Sequence, residues 1–206
     1  MAQRFLSPEN FYFPKIKDYF WKIYPVVVLF FFLLSFLYLI FPLKDVLRTW
    51  CDFRWLYVAG KTWLSGHSPY NFSAWADQWM ETPFTFIGGY PSQPFFYPPH
   101  WGAIVVPLAK LPYLDALRVW DFINVVSYLA SLYLCMKIVM PTLTSVNARR
   151  LAWFMLGLAS LVGSVRWAFG VSQMGFLPLL GMVGLYWAWL RGLFHWQVIF
   201  TVVALL

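Results

Sequence analysis

Charged side chains are scarce in this chain. Only 11% of its 206 residues are Asp, Glu, Lys or Arg, where a soluble domain carries about a quarter. That deficit excludes an ordinary water-facing surface. Acidic residues are the rarer kind, 8 against 15 basic ones. The basic residues are scattered rather than gathered into a stripe, so no nucleic-acid partner is expected, and the surplus points to anionic lipid headgroups. Cysteine is almost missing. Cys51 and Cys135 form no disulfide framework and no CxxC pair. Helical rise puts them about 22 Å apart in depth, so they are not expected to pair. His67, His100 and His195 lack metal-ligand spacing with Asp, Glu or Cys, and no metal or cofactor is expected.

Apolar residues are abundant, 61% of the chain with 22% aromatic, and their arrangement reads as a polytopic, all-α integral membrane protein. Residues 23–43 are uncharged between Lys22 and Lys44, enough to cross about 30 Å of hydrocarbon. Arg4, Lys15, Lys17 and Lys22 precede them, so residues 1–22 are expected to be cytoplasmic. The run is too long for a signal core, and bulky residues follow it, so it reads as an uncleaved anchor. Residues 44–117 form a large extracytoplasmic loop, rich in proline and glycine. Within it, the helical period of Phe53, Leu56, Tyr57, Gly60 and Leu64 predicts a short amphipathic helix at the interface. Trp101 to Leu114 predicts a dipping or juxtamembrane helix.

Further spans are expected at 118–139, 151–170 and 174–190. The Arg149-Arg150 pair marks the cytoplasmic turn between the first two, and Arg191 lies on the same side. A last apolar run, 193–206, reaches only about 21 Å as helix and has no polar flank. It reads as an incomplete span, and the chain as a fragment of a longer one.

Asp52, just outside the first span, is the foremost candidate for chemistry. A carboxylate at a membrane surface can take a proton from an acceptor hydroxyl, and apolar surroundings would help desolvate it. It can equally be the cap of its helix. Asp45, Asp77, Glu81, Asp115 and Asp121 share the outer side, so chemistry alone does not single it out. Arg54, Lys61 and Arg166 are candidates for holding a phosphate. Snorkelling explains Arg166 as readily, and Arg54 can be a solvated charge or an ion-pair partner of Asp52. Phe96-Tyr97-Pro98-Pro99 stops one element and starts another. Ser172-Gln173 is a tight outer turn. Asn71-Phe72-Ser73 is formally a glycosylation sequon.

Asp52, Phe53, Leu64, Gly66, Pro69 and Tyr70, with Tyr57 and Ala59 in looser register, resemble the pattern that follows the first span in glycosyltransferase family 87. Phe96-Tyr97-Pro98-Pro99 followed by Pro107-Leu108-Ala109-Lys110-Leu111-Pro112 is similar to a second segment of that family. Ser172-Gln173 stands where members usually have Gly-Gln with an Asn close behind. The resemblance implies a GT-C-like N-terminal half and metal-independent, inverting transfer of a sugar, a mannose-like hexose or a pentose. The donor would be a polyprenyl-phosphate sugar and the acceptor an extracytoplasmic glycolipid or glycan. It implies a catalytic role for Asp52, with Arg54, Lys61, Tyr70, Tyr97, Arg166 and Gln173 as substrate-binding candidates. Family members are longer, so little or no activity is expected of 206 residues alone. Two other readings stay open: a non-catalytic scaffold or pseudoenzyme fragment, and a transporter-like bundle with Arg166 and Gln173 lining a pathway.

Overall fold

A computed structural model describes residues 52–82, 95, 97–159, 168 and 172–205. The expected segments 1–22 and 23–43, Cys51 and Arg166 lie outside these residues. The described residues contain helices and no strand. In chain order they are α1 (Asp52–Leu64), α2 (Phe72–Glu81), α3 (Pro99–Val105), a 3-10 turn (Leu108–Lys110), α4 (Tyr113–Val139), a second 3-10 turn (Met140–Thr142), α5 (Val146–Ala159), α6 (Phe176–Leu190) and α7 (Phe194–Leu205).

α1 covers the residues whose period predicts a helix, and most of it is built into the core. It packs against α2, α3, the first 3-10 turn and α4. Phe53, Arg54, Leu56, Tyr57, Val58, Ala59, Gly60 and Thr62 are all buried. Asp52, Trp55, Lys61 and Trp63 are half-buried and Leu64 is exposed, so α1 keeps one narrow open side. The close approach of the first 3-10 turn explains Gly60, where a Cβ would stand 2.9 Å from the Cβ of Ala109 and 3.4 Å from the backbone of Val105 at the end of α3. Tyr57 ties α1 to the segment ahead of α4 by donating its hydroxyl to the Leu111 carbonyl at 2.8 Å.

α2 lies in the large loop, at a place where no particular helix was expected. Asn71 caps it, accepting from the Ala74 N–H at 3.4 Å, and Trp75, Ala76 and Trp79 form its buried face. The 101–114 segment is broken rather than continuous. Pro107 has no N–H to continue α3. Pro112 forces Leu111 into extended backbone, ψ 159°, and α4 starts immediately after. Phe53, Tyr57, Tyr113, Trp101 and Trp120 meet in one aromatic core, with the Phe53 and Trp120 rings stacked at 5.4 Å.

Among the described residues, one stretch is long and apolar enough to cross a membrane, Tyr113–Thr142. Its main helix, α4, begins five residues ahead of the expected 118–139 span. At 27 residues it is about 40 Å long, longer than a hydrocarbon core, and its first turns are built into the aromatic core. α6 and α7 are shorter apolar helices, joined by a turn through Gly192 and packed closely on each other, while α6 also packs on α4. Gly181, Gly184 and Ala188 make a buried small-residue face on α6 that lets α7 approach.

Asn124 is an exception to economy in α4. It is 1% exposed, and neither polar atom of its side chain has a hydrogen-bond partner among the described residues. Leaving such groups unpaired costs about 1–3 kcal/mol. Asn124→Leu, similar in volume, is therefore expected to raise resistance to thermal unfolding in detergent. A fall in the midpoint would show that the amide is paired in the membrane.

Candidate active site

Four segments converge at the start of α1. Asp52 opens that helix and is half-buried. The turn preceding α6 brings Gln173, whose side-chain amide donates to the Asp52 carboxylate. Tyr97, in the turn leading to α3, lies within range of the same charge. α4 contributes Trp120 and Asp121 from the other side. Residues far apart in sequence thus meet around one carboxylate.

The electrostatics follow from burial. Partial loss of water pushes the Asp52 carboxyl above the ordinary 3.8, and the hydrogen bond from Gln173 opposes that rise by favouring the ionised form. Burial, with the negative charge of Asp52 adding to it, pushes the Tyr97 phenol up to about 12. Tyr97 is consequently a protonated hydrogen-bond donor at neutral pH. Its backbone is fixed from outside: the Tyr70 hydroxyl donates to the Tyr97 carbonyl at 2.6 Å.

The turn carrying Gln173 has an unusual residue in front of it. Ser172 has φ of 51°, a left-handed conformation in which glycine is normally found. It is buried and held at two points. Its Oγ donates to Asp121 Oδ1 at 2.6 Å, and its carbonyl accepts from Trp120 Nε1 at 3.1 Å.

Asp52, Tyr97 and Gln173 are brought together, and Tyr70 joins them at the rim. Arg54 and Lys61 go elsewhere. Two residues along a helix is about 200° of rotation, and the Arg54 guanidinium carbon lies 3.9 Å over the Trp79 ring on α2. Lys61 is about 13 Å further along α1 from Asp52, its ammonium 5.7 Å from the Tyr57 ring. The contacts of Ser172 with Asp121 and Trp120 are the neighbours of this cluster that sequence reasoning did not join to it. The signal available was a polar Ser172-Gln173 turn and a carboxylate, Asp121, at the outer end of an apolar helix. Among the described residues no three His, Cys, Asp or Glu side chains gather into a metal-ligand group.

Among the described residues the elements are helices, one stretch is long and apolar enough to cross a membrane, and the half-buried Asp52 lies near its start. The family model for glycosyltransferase family 87 matches residues 95–206. The chain belongs to that family and is a membrane glycosyltransferase. The match takes in Tyr97, Trp120, Asp121, Ser172 and Gln173, and begins beyond Asp52 and Tyr70. No curated protein and no solved structure matches the chain.

Proposed function

We propose that the protein moves a mannose-like hexose from a polyprenyl-phosphate donor to a glycolipid or glycan acceptor on the extracytoplasmic face of the plasma or inner membrane, with inversion. In this reading the chain is multi-pass, with its N-terminus cytoplasmic, and works among membrane lipids without a cofactor. The observation that carries the proposal is the meeting of Asp52, Tyr97 and Gln173 at a half-buried position beside the aromatic core. Asp52 accepts the acceptor's hydroxyl proton as its oxygen bonds to the anomeric carbon. The bond from that carbon to the phosphate oxygen breaks, and polyprenyl phosphate departs with the electron pair. Gln173 orients the carboxylate, and the protonated Tyr97 offers a donor to substrate oxygen. Arg166, the cation that the sequence nominates near the outer end of a span, would face the leaving phosphate. Polyprenyl chain fits the apolar, aromatic surroundings.

The test is transfer from synthetic polyprenyl-phosphate hexoses by the complete protein in nanodiscs, with the anomeric configuration of the product read by NMR. Absence of transfer from every such donor, or retained configuration, would overturn the reading.

A base must be ionised to act. Since burial raises the Asp52 carboxyl, kcat/KM is expected to fall with acid at a pH above the ordinary carboxylate value of 3.8. Gln173→Leu removes the bond that favours the charged form, so the acid limb should move to higher pH. A limb unmoved, or moved the other way, would detach Gln173 from the base.

A further inference from the structure

Ser172 pays for nothing by its own preferences. A serine with φ of 51° is strained, and such conformations persist where the surroundings over-determine them. Here the surroundings are two adjacent residues of α4. Asp121 takes the hydroxyl at 2.6 Å and Trp120 takes the carbonyl at 3.1 Å, so the residue is gripped at both its side chain and its backbone.

The grip forms part of a closed circuit. Trp120 stacks on Phe53 at 5.4 Å with the rings inclined by 23°, and Phe53 is the residue after Asp52. Gln173, the residue after Ser172, returns to the Asp52 side chain, while its N–H donates to the Ala168 carbonyl at 2.9 Å. The circuit runs Asp52, Phe53, Trp120, Ser172, Gln173 and back to Asp52. Trp120 therefore locates the backbone of α1 and the Gln173 turn against the same indole. Trp120 is 1% exposed and Ser172 4%, so water competes little for these bonds.

We propose that Asp121 and Trp120 are positioning residues, which clasp Ser172 in its left-handed conformation and so hold the Gln173 amide on Asp52. This rests on the reading of Asp52 as the base. Asp121 acts as a hydrogen-bond acceptor, a task that an amide oxygen performs as well. That separates it from a second base or a phosphate-repelling charge, for which the ionised carboxylate is indispensable. It also separates the two ends of the clasp: the hydroxyl of Ser172 matters because the residue carries a Cβ in a region that disfavours one, and a glycine there would need less holding.

The experiment compares Ser172→Ala, Ser172→Gly, Asp121→Ala, Asp121→Asn and Asp52→Asn in the complete protein in nanodiscs. Backbone hydrogen exchange over residues 172–175 reports the turn whether or not the enzyme turns over. Exchange there should quicken by about tenfold in Ser172→Ala and Asp121→Ala, with smaller changes in Ser172→Gly and Asp121→Asn. Loss of a charge-assisted hydrogen bond corresponds to about ten- to a hundredfold in kcat. That loss is expected for both alanine variants with KM little changed, and Asp121→Asn should recover most of it. Once residue 172 is glycine, Asp121→Ala should quicken exchange over residues 172–175 little further, because the bond that clasps the turn is already gone.

Unchanged exchange in both alanine variants would overturn the clasp. So would Asp121→Asn as slow as Asp121→Ala, since the charge would then be what matters. A loosened turn with wild-type kcat, while Asp52→Asn is inactive, would also overturn it and leave the base reading intact. Wild-type turnover by Asp52→Asn would instead remove the base reading, and with it the claim that the clasp acts through Asp52.

Discussion

Asp52→Asn is expected to lower turnover by about 10²–10⁴-fold, the range typical of general-base catalysis, with donor affinity changed far less. The substitution keeps size and most hydrogen bonding while deleting the proton acceptor. Loss of activity through misfolding would look similar, and linkage separates the two. The folded-state carboxyl of Asp52 lies above the 3.8 of an exposed aspartate. The unfolded chain therefore gives up this proton first. Stability from this group is fullest below about that value and declines as pH rises through the folded one. At neutral pH the ionised Asp52 is a burden on the fold, and its neutral amide replacement should melt at the same temperature or higher. Asp77 and Glu81 lie on the exposed side of α2, so Asp77→Asn and Glu81→Gln should be nearly silent. Sugar transfer at matched expression is the measurement. Near-wild-type turnover by the Asp52 variant would shift weight to a scaffold role.

Gly181→Leu is expected to be the most damaging change among the apolar helices. A Cβ at Gly181 would run into the backbone of Ala204, and one at Gly184 into the ring of Phe200. Overpacking usually costs about 1–3 kcal/mol, and backbone on both sides leaves no rotamer by which to escape, so the upper end applies. The α6–α7 pair should separate, visible as aggregation on size exclusion and a lowered unfolding midpoint. Gly175→Ala is the matched control, since nothing lies within 4 Å of its added Cβ. A Gly181→Leu protein as stable as its parent would mean that the two helices do not pack face to face.

What was legible in the sequence is instructive residue by residue. The period from Phe53 to Leu64 marked α1, because packing against α3 and α4 selects the same face that a membrane surface would. The burial of Arg54 was illegible: it reads as a polar position, yet a guanidinium can lie over an indole and be buried there. α2 escaped notice because the surrounding prolines and glycines argued only against one long helix, although Asn71 followed by Trp75 and Trp79 is a cap followed by a helical stripe. At the site, Asp52 stood out as a carboxylate beside an apolar run, while Tyr97 and Gln173 were nominated by the family resemblance. The bond between Asp121 and Ser172 spans 51 positions, and no local pattern encodes a partner at that distance. It exists because α4 and the Gln173 turn are set side by side by the aromatic core.

The indoles of Trp55, Trp75 and Trp79 carry one more consequence. Their ring centroids lie 5.0, 5.0 and 5.1 Å apart, close enough for light absorbed by one to be shared with the others. Coupled transitions of this kind give paired bands of opposite sign in the circular dichroism spectrum, and the pairing vanishes once the rings move apart. Trp55 belongs to α1 and the other two to α2. The docking of these helices is thereby written into the protein's own absorption, and its loss can be followed optically, without a label.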